Sequence, residues 1–93
     1  MPTTTLTGKL TCSTMAEAER VCELLPRHIE LTRAEPGVLQ FDFTVDPEDP
    51  LVFHVSESFV DRDALTAHQN RTAASDWGRQ TAGIPRHYEV QDV

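Results

Sequence analysis

The chain has 93 residues, 39% apolar and 25% charged, with a net charge of −7 and a pI near 4.9. That size predicts one domain, residues 1–93, whose modest core leans toward burial against a partner. Its eight Lys and Arg are scattered, which argues against nucleic acid and anionic membranes, because phosphate binding needs clustered cations.

The opening MPTTTLTGKL lacks the basic start and apolar stretch of a signal peptide. No apolar run reaches the length of a membrane span. Cys12 and Cys22 show no metal spacing and make no disulfide framework. They read as two buried thiols, with Cys22 on the apolar side of the first helix, in a reducing cytoplasm.

In chain order, Thr3 to Cys12 is Thr-rich around Leu6 and Leu10 and predicts a strand. Thr14 followed by Glu17 has capping-box spacing and opens a helix that runs to about Ala34. Ala18, Val21, Leu24, Leu25, His28 and Thr32 share one arc of it. Pro26 removes a hydrogen bond to the Cys22 carbonyl and predicts a kink. Glu35-Pro36-Gly37 ends the helix. Leu39, Phe41, Phe43 and Val45 then alternate with polar residues, as in a half-buried strand. After the loop Asp46–Pro50, the residues Leu51, Phe53, Val55, Glu57 and Phe59 alternate with Val52, His54, Ser56 and Ser58. These two strands form a hairpin. Asp61 caps a second helix that turns Ala64, Leu65 and His68 inward. A short helical piece follows around Ser75 to Thr81. Arg86 to Val93 is a last strand with Tyr88 and Val90 on one face.

The order β-α-β-β-α-β predicts an α+β, ferredoxin-like fold: an antiparallel four-stranded sheet with both helices on one face. Phe-rich strands beside a bare second face predict that two subunits stack sheet on sheet as a homodimer.

Three polar side chains interrupt faces that should be apolar: His28, His68 and Glu57. Each alone is more simply a satisfied buried group, a histidine bonded to a carbonyl or a carboxylate paired with an arginine. Together they point to a pocket. Phe41, Phe43, Phe53 and Trp77 are its candidate walls, and Asn70 and Tyr88 its candidate hydrogen-bonding groups. Arg71 is a further candidate donor at the pocket mouth, but for Asn70 and Arg71 the solvated-surface reading is the stronger. His54 falls on the opposite strand face, unless a slip of one residue exchanges it with Glu57. Two histidines and a carboxylate are also a non-haem iron ligand set, but no spacing in the chain supports one. No phosphate loop, nucleophile elbow or zinc motif is present.

The segments TRAEPG, LQFDF, DPEDP and FHVSESFVDRDALTAH, in this order, resemble the antibiotic biosynthesis monooxygenase domain. The family's Glu, aromatic, Asp and Ala-Leu-x-x-His run falls here on Glu57, Phe59, Asp61, Ala64, Leu65 and His68. Phe59 stands where Trp is frequent. His28 matches a histidine of the branch that processes the signal autoinducer-2. The resemblance implies a dimeric α+β barrel with a pocket between helices and sheet in each subunit. It also implies oxidation of quinols or anthrones by O2 with no metal and no cofactor. A haem-degrading branch instead carries Trp where His68 stands and a His near Gly78, so this chain departs from it.

On that resemblance, His68 is the expected base, Glu57 orients it, and His28 binds an oxygen of a small aromatic substrate. The alternatives are an isomerase or enolising enzyme with the same base, and a non-catalytic dimeric binding module.

Overall fold

The computed structural model describes residues 3–93. Its elements are β1 (Thr4–Thr11), α1 (Met15–Arg33), β2 (Val38–Val45), β3 (Val52–Phe59), α2 (Arg62–Ala73), α3 (Asp76–Thr81) and β4 (Arg86–Asp92). The four strands pair antiparallel in the order β2-β3-β1-β4. This is the predicted ferredoxin-like arrangement, with α3 inserted before the last strand.

Local chemistry sets the helix starts. The Thr14 hydroxyl accepts from the Glu17 backbone N–H at 3.2 Å. Glu17 reaches back not to Thr14 but to the Ser13 N–H, at 2.7 Å. Asp61 caps α2 through the Ala64 N–H at 2.8 Å, and Ser75 caps α3 through the Gly78 N–H at 3.1 Å. Each such cap typically contributes about 1 kcal/mol.

Helix α1 buries Ala18, Val21, His28 and Thr32. It runs on through Pro26, which faces solvent, as does Cys22, whose carbonyl loses a donor to the proline ring. Water can satisfy that carbonyl. Of the two thiols, only Cys12 is buried; Cys22 is exposed. The expectation for Cys22 is corrected by helical geometry: at about 100° per residue it sits at the rim of the arc centred on Val21 and His28.

All four phenylalanines, Phe41, Phe43, Phe53 and Phe59, face the helices and are buried. The expected partners Leu39 and Val45 are instead 59% and 49% exposed. The ladder shifts register between Val38 and Gln40, so Val38 pairs with Phe59 while Phe41 pairs with Glu57. This bulge pushes Leu39 out of alternation. Val45 is the last residue of its strand, at the edge of the surface covered by the start of α1.

The opposite sheet face presents Thr5, Thr7, Lys9, His54, Ser56, Gln40, Asp42, His87 and Glu89, exposed or half-buried. It is polar, not Phe-rich, so the apolar argument for stacked sheets does not hold. His54 belongs to this face, bonded to Asp46 at 2.6 Å, while Asp46 also accepts from the Glu48 and Asp49 N–H groups. These bonds, above all that from His54, hold the Asp46 carboxyl below its usual range.

On β1, Gly8 pairs with both Val55 and Tyr88. Its φ is +157°, and a Cβ there would overlap the His87 carbonyl oxygen and crowd Tyr88. Gly8→Ala should therefore lower stability by about 1–3 kcal/mol. Urea unfolding checks this, and an unchanged midpoint would show that β4 yields without cost.

Candidate active site

Helices and sheet enclose a cavity of about 370 Å³. The inward face of α1 supplies His28, α2 supplies His68 and Thr72, and α3 supplies Trp77. The sheet supplies Leu6, Phe43, Glu57, Arg86 and Tyr88. The strand register decides this set. Glu57 pairs with Phe41 on one side and Leu6 on the other, both on the covered face.

His68 is the centre of the arrangement. Its Nδ1 lies 2.9 Å from Glu35 Oε2, and the same carboxylate oxygen bonds Arg71 at 3.1 Å. Arg71 also donates to the Thr32 hydroxyl at 3.1 Å. A carboxylate only accepts, so Nδ1 carries the hydrogen, and in the neutral form of the ring the lone pair is at Nε2. Nε2 stands 3.6 Å from Glu57 Oε1 and 3.5 Å from the Thr72 hydroxyl. These distances are too long for strong bonds, and they leave the lone pair available. Phe59 and Phe41 pack on the imidazole with centroids 5.3 Å and 6.0 Å away.

His28 is held differently. Its ring stacks on Trp77 at 4.4 Å and 3° and meets the edge of Phe41 at 5.4 Å. Its Nδ1 is buried without a partner. Burial, then the nearby His68, Arg71 and Arg86, lower its pKa to about 3, so the ring is neutral near pH 7. Glu57 is 5% exposed, and its Oε1 lacks a hydrogen-bond partner. Burial, reinforced by the Glu35 charge, raises its pKa to about 7. Burial also raises the Tyr88 phenol to about 12.

Of the residues singled out by sequence, His28, His68, Glu57, Phe43, Trp77 and Tyr88 line the cavity. Phe41 stands behind the two imidazoles. Phe53 is fully buried but sits opposite Leu10, four residues along the ladder from Glu57, and packs on Phe43 instead of lining the cavity. Asn70 is exposed and outside it; two residues after His68 is about 200° around the helix. Among the described residues no three His, Cys, Asp or Glu side chains are arranged to hold a metal ion.

Sequence reading missed Glu35, taken only as a helix stop, and set Arg71 aside as a solvated donor at the pocket mouth. It also missed Arg86. Two signals were there. A carboxylate just past a helix C-terminus opposes the helix dipole and calls for a cation. Arg86 shares strand parity with Tyr88 and Val90.

The two perturbed groups pull stability in opposite directions with pH. Glu57 keeps its proton to about pH 7 when folded but only to about 4.5 when unfolded, so its contribution is lost as pH rises through that window. His28, with a folded pKa near 3 against 6.5, loses its contribution as pH falls through its own window. Glu57→Gln removes the first effect. The variant's stability relative to wild type should therefore climb by up to about 3 kcal/mol between pH 4 and pH 8. Denaturant titrations at both pH values test this; a difference flat with pH would contradict it.

The sequence model of the antibiotic biosynthesis monooxygenase family matches residues 14–80. No curated protein matches the chain significantly. Among solved structures, a Pseudomonas aeruginosa protein is 24% identical with a TM-score of 0.75, over 100% of this chain and 93% of that one. A candidate antibiotic biosynthesis monooxygenase from Nitrosomonas europaea is 22% identical with a TM-score of 0.78, over 98% and 96%. Another from Deinococcus radiodurans is 20% identical with a TM-score of 0.76, over 97% and 91%. At these identities the structures establish likeness of fold. The family match spans most of the chain, including His28, Glu35, Glu57 and His68, and the chain belongs to the antibiotic biosynthesis monooxygenase family.

Proposed function

We propose that this protein is a cofactor-independent monooxygenase that oxidises a phenolic, quinol or anthrone-type ring with O2. The observation that carries the reading is His68, fixed by Glu35 and open at Nε2 inside an aromatic-walled cavity. An anthrone methylene or a phenol loses its proton to Nε2. Glu35, already bonded to Nδ1, stabilises the imidazolium that forms. The substrate anion is then electron-rich enough to pass an electron to O2. The two radicals couple to a hydroperoxide, which loses water. In the balance, an anthrone CH2 and O2 become a carbonyl and water, and a phenol and O2 become a quinone and water through the para C–H and the O–H.

The neutral His28 ring, with an unpaired Nδ1, faces substrate oxygen. Glu57, near its pKa at neutral pH, can return a proton to the departing oxygen. The apolar walls exclude water and strengthen these contacts. Residues 1–93 act as one domain in a cytoplasmic homodimer, as the family implies. On the polar open face, that dimer would be held by hydrogen bonds and charge pairs.

One observation favours a second reading. A carboxyl group titrating near 7 beside an imidazole is also an acid–base pair for enolisation, which would make the enzyme an isomerase. Oxygen uptake separates the two. With a panel of anthrones and quinols, the protein should consume O2 above autoxidation, and His68→Ala should lower turnover by about two to four orders of magnitude. Glu35→Gln, which spares the ring but removes its anionic support, should fall between. Uptake unchanged in His68→Ala would remove the base assignment. Absence of uptake with every substrate would favour the isomerase or a binding module.

A further inference from the structure

The cavity has two chemically different ends. One holds Glu57 and His68. The other is closed by Arg86, at the start of β4, which lines the cavity and is half-buried. Its charge has no carboxylate counterpart. The other six arginines, Arg20, Arg27, Arg33, Arg62, Arg71 and Arg79, each lie within 4 Å of an Asp or Glu. Arg86 does not, among the described residues, in a chain with 15 acidic side chains. A cation left alone beside an apolar cavity is costly unless something answers it.

The bonds Arg86 does make define what could answer it. One terminal nitrogen donates to the Thr81 and Ile84 carbonyls at 2.8 Å and 3.1 Å, and the other to the Thr81 hydroxyl at 2.6 Å. These contacts fix the guanidinium against the end of α3 and use three of its five donors. Nε–H and one terminal N–H remain, parallel on one edge of the plane, and the Tyr88 phenol that the guanidinium also approaches is a neutral acceptor that leaves its charge unanswered. Such an edge matches the two oxygens of a carboxylate. A phosphate would bring a second negative charge into a mostly apolar cavity with no second cation at that end.

Position supports a ligand that touches both ends. Arg86 pairs with Leu10, and Glu57 with Leu6, so the two stand four residues and two strands apart. At ~3.4 Å per residue and ~4.8 Å per strand, their backbones are roughly 17 Å apart. Both side chains reach into the same cavity, which leaves a gap suited to a fused aromatic ring system. Tyr88, two residues from Arg86 on β4, stands between them, and Trp77 and Phe43 are further flat walls of the cavity.

We propose that Arg86 is an anion-binding residue that selects hydroxylated aromatic acids, with the ring hydroxyl at His68 and Glu57 and the carboxylate on the free guanidinium edge. This rests on the reading of the cavity as a substrate site, and it adds the charge of the substrate.

The test is binding alone, with no oxygen chemistry, using 6-hydroxy-2-naphthoate and its neutral methyl ester at pH 7 by calorimetry. Wild type should bind the acid at least tenfold more tightly than the ester. Arg86→Gln should erase that preference by weakening the acid about tenfold and the ester less than twofold. Arg86→Lys, which keeps the charge without the planar edge, should fall between. Equal binding of acid and ester by wild type would overturn the proposal without recourse to a variant, so a poorly folding Arg86→Gln does not protect it. A preference that survives in folded Arg86→Gln would also overturn it. Acid preference without O2 uptake would leave the anion site standing and remove the oxygenase. O2 uptake with neutral quinols and no acid preference would do the reverse.

Discussion

The bond between Glu35 and His68 ties the site together. It joins the turn after α1 to the middle of α2, 33 residues on, inside a shell of Phe41 and Phe59. A buried carboxylate is tolerated only with hydrogen-bond or ionic partners. Glu35 has two, His68 and Arg71, and Arg71 is itself anchored to Thr32 on α1. The network therefore fixes where α1 ends, how α2 is rotated and which nitrogen of His68 faces the cavity. Changing any member alters all three, because each leaves another polar group buried and unpaired.

Glu57 and His28 show the opposite strategy. Neither buried side chain is fully satisfied: Glu57 Oε1 and His28 Nδ1 lack partners. Both respond by favouring the neutral form, the carboxyl by holding its proton and the imidazole by declining one. Such groups lower stability relative to well-paired or apolar substitutes. Both nevertheless stand on the walls of one cavity, and perturbed titratable groups cluster at functional sites.

The same contrast runs along the length of the cavity. Glu57 and His68 line one part of it, Arg86 lines another four residues along the sheet, and aromatic rings complete the walls. The short helix α3 matters out of proportion to its length. It provides Trp77 to stack on His28, and its C-terminal end holds the guanidinium of Arg86. Gly78 lets α3 approach closely, since a Cβ there would overlap the Thr72 carbonyl.

The sequence alone determined the order of elements, because strand alternation, capping residues and the Pro and Gly stops are local signals. It also placed His28 and His68 on inward helix faces and Glu57 on an apolar strand face, since the periods fix which residues share a face; which strand face meets the helices was left to the tertiary structure. Local signals failed where a ladder is irregular or an arc has an edge. The bulge at Leu39 broke the alternation, and Cys22 lay just beyond the buried arc of α1. Which polar residues meet is a property of packing, and only the tertiary structure decided it. Glu35 reads as a helix stop until α2 brings His68 against it, and Arg86 reads only as the start of a strand until the end of α3 packs against its guanidinium. The polarity of the open sheet face was likewise decided by register, which turned all four phenylalanines toward the helices at once.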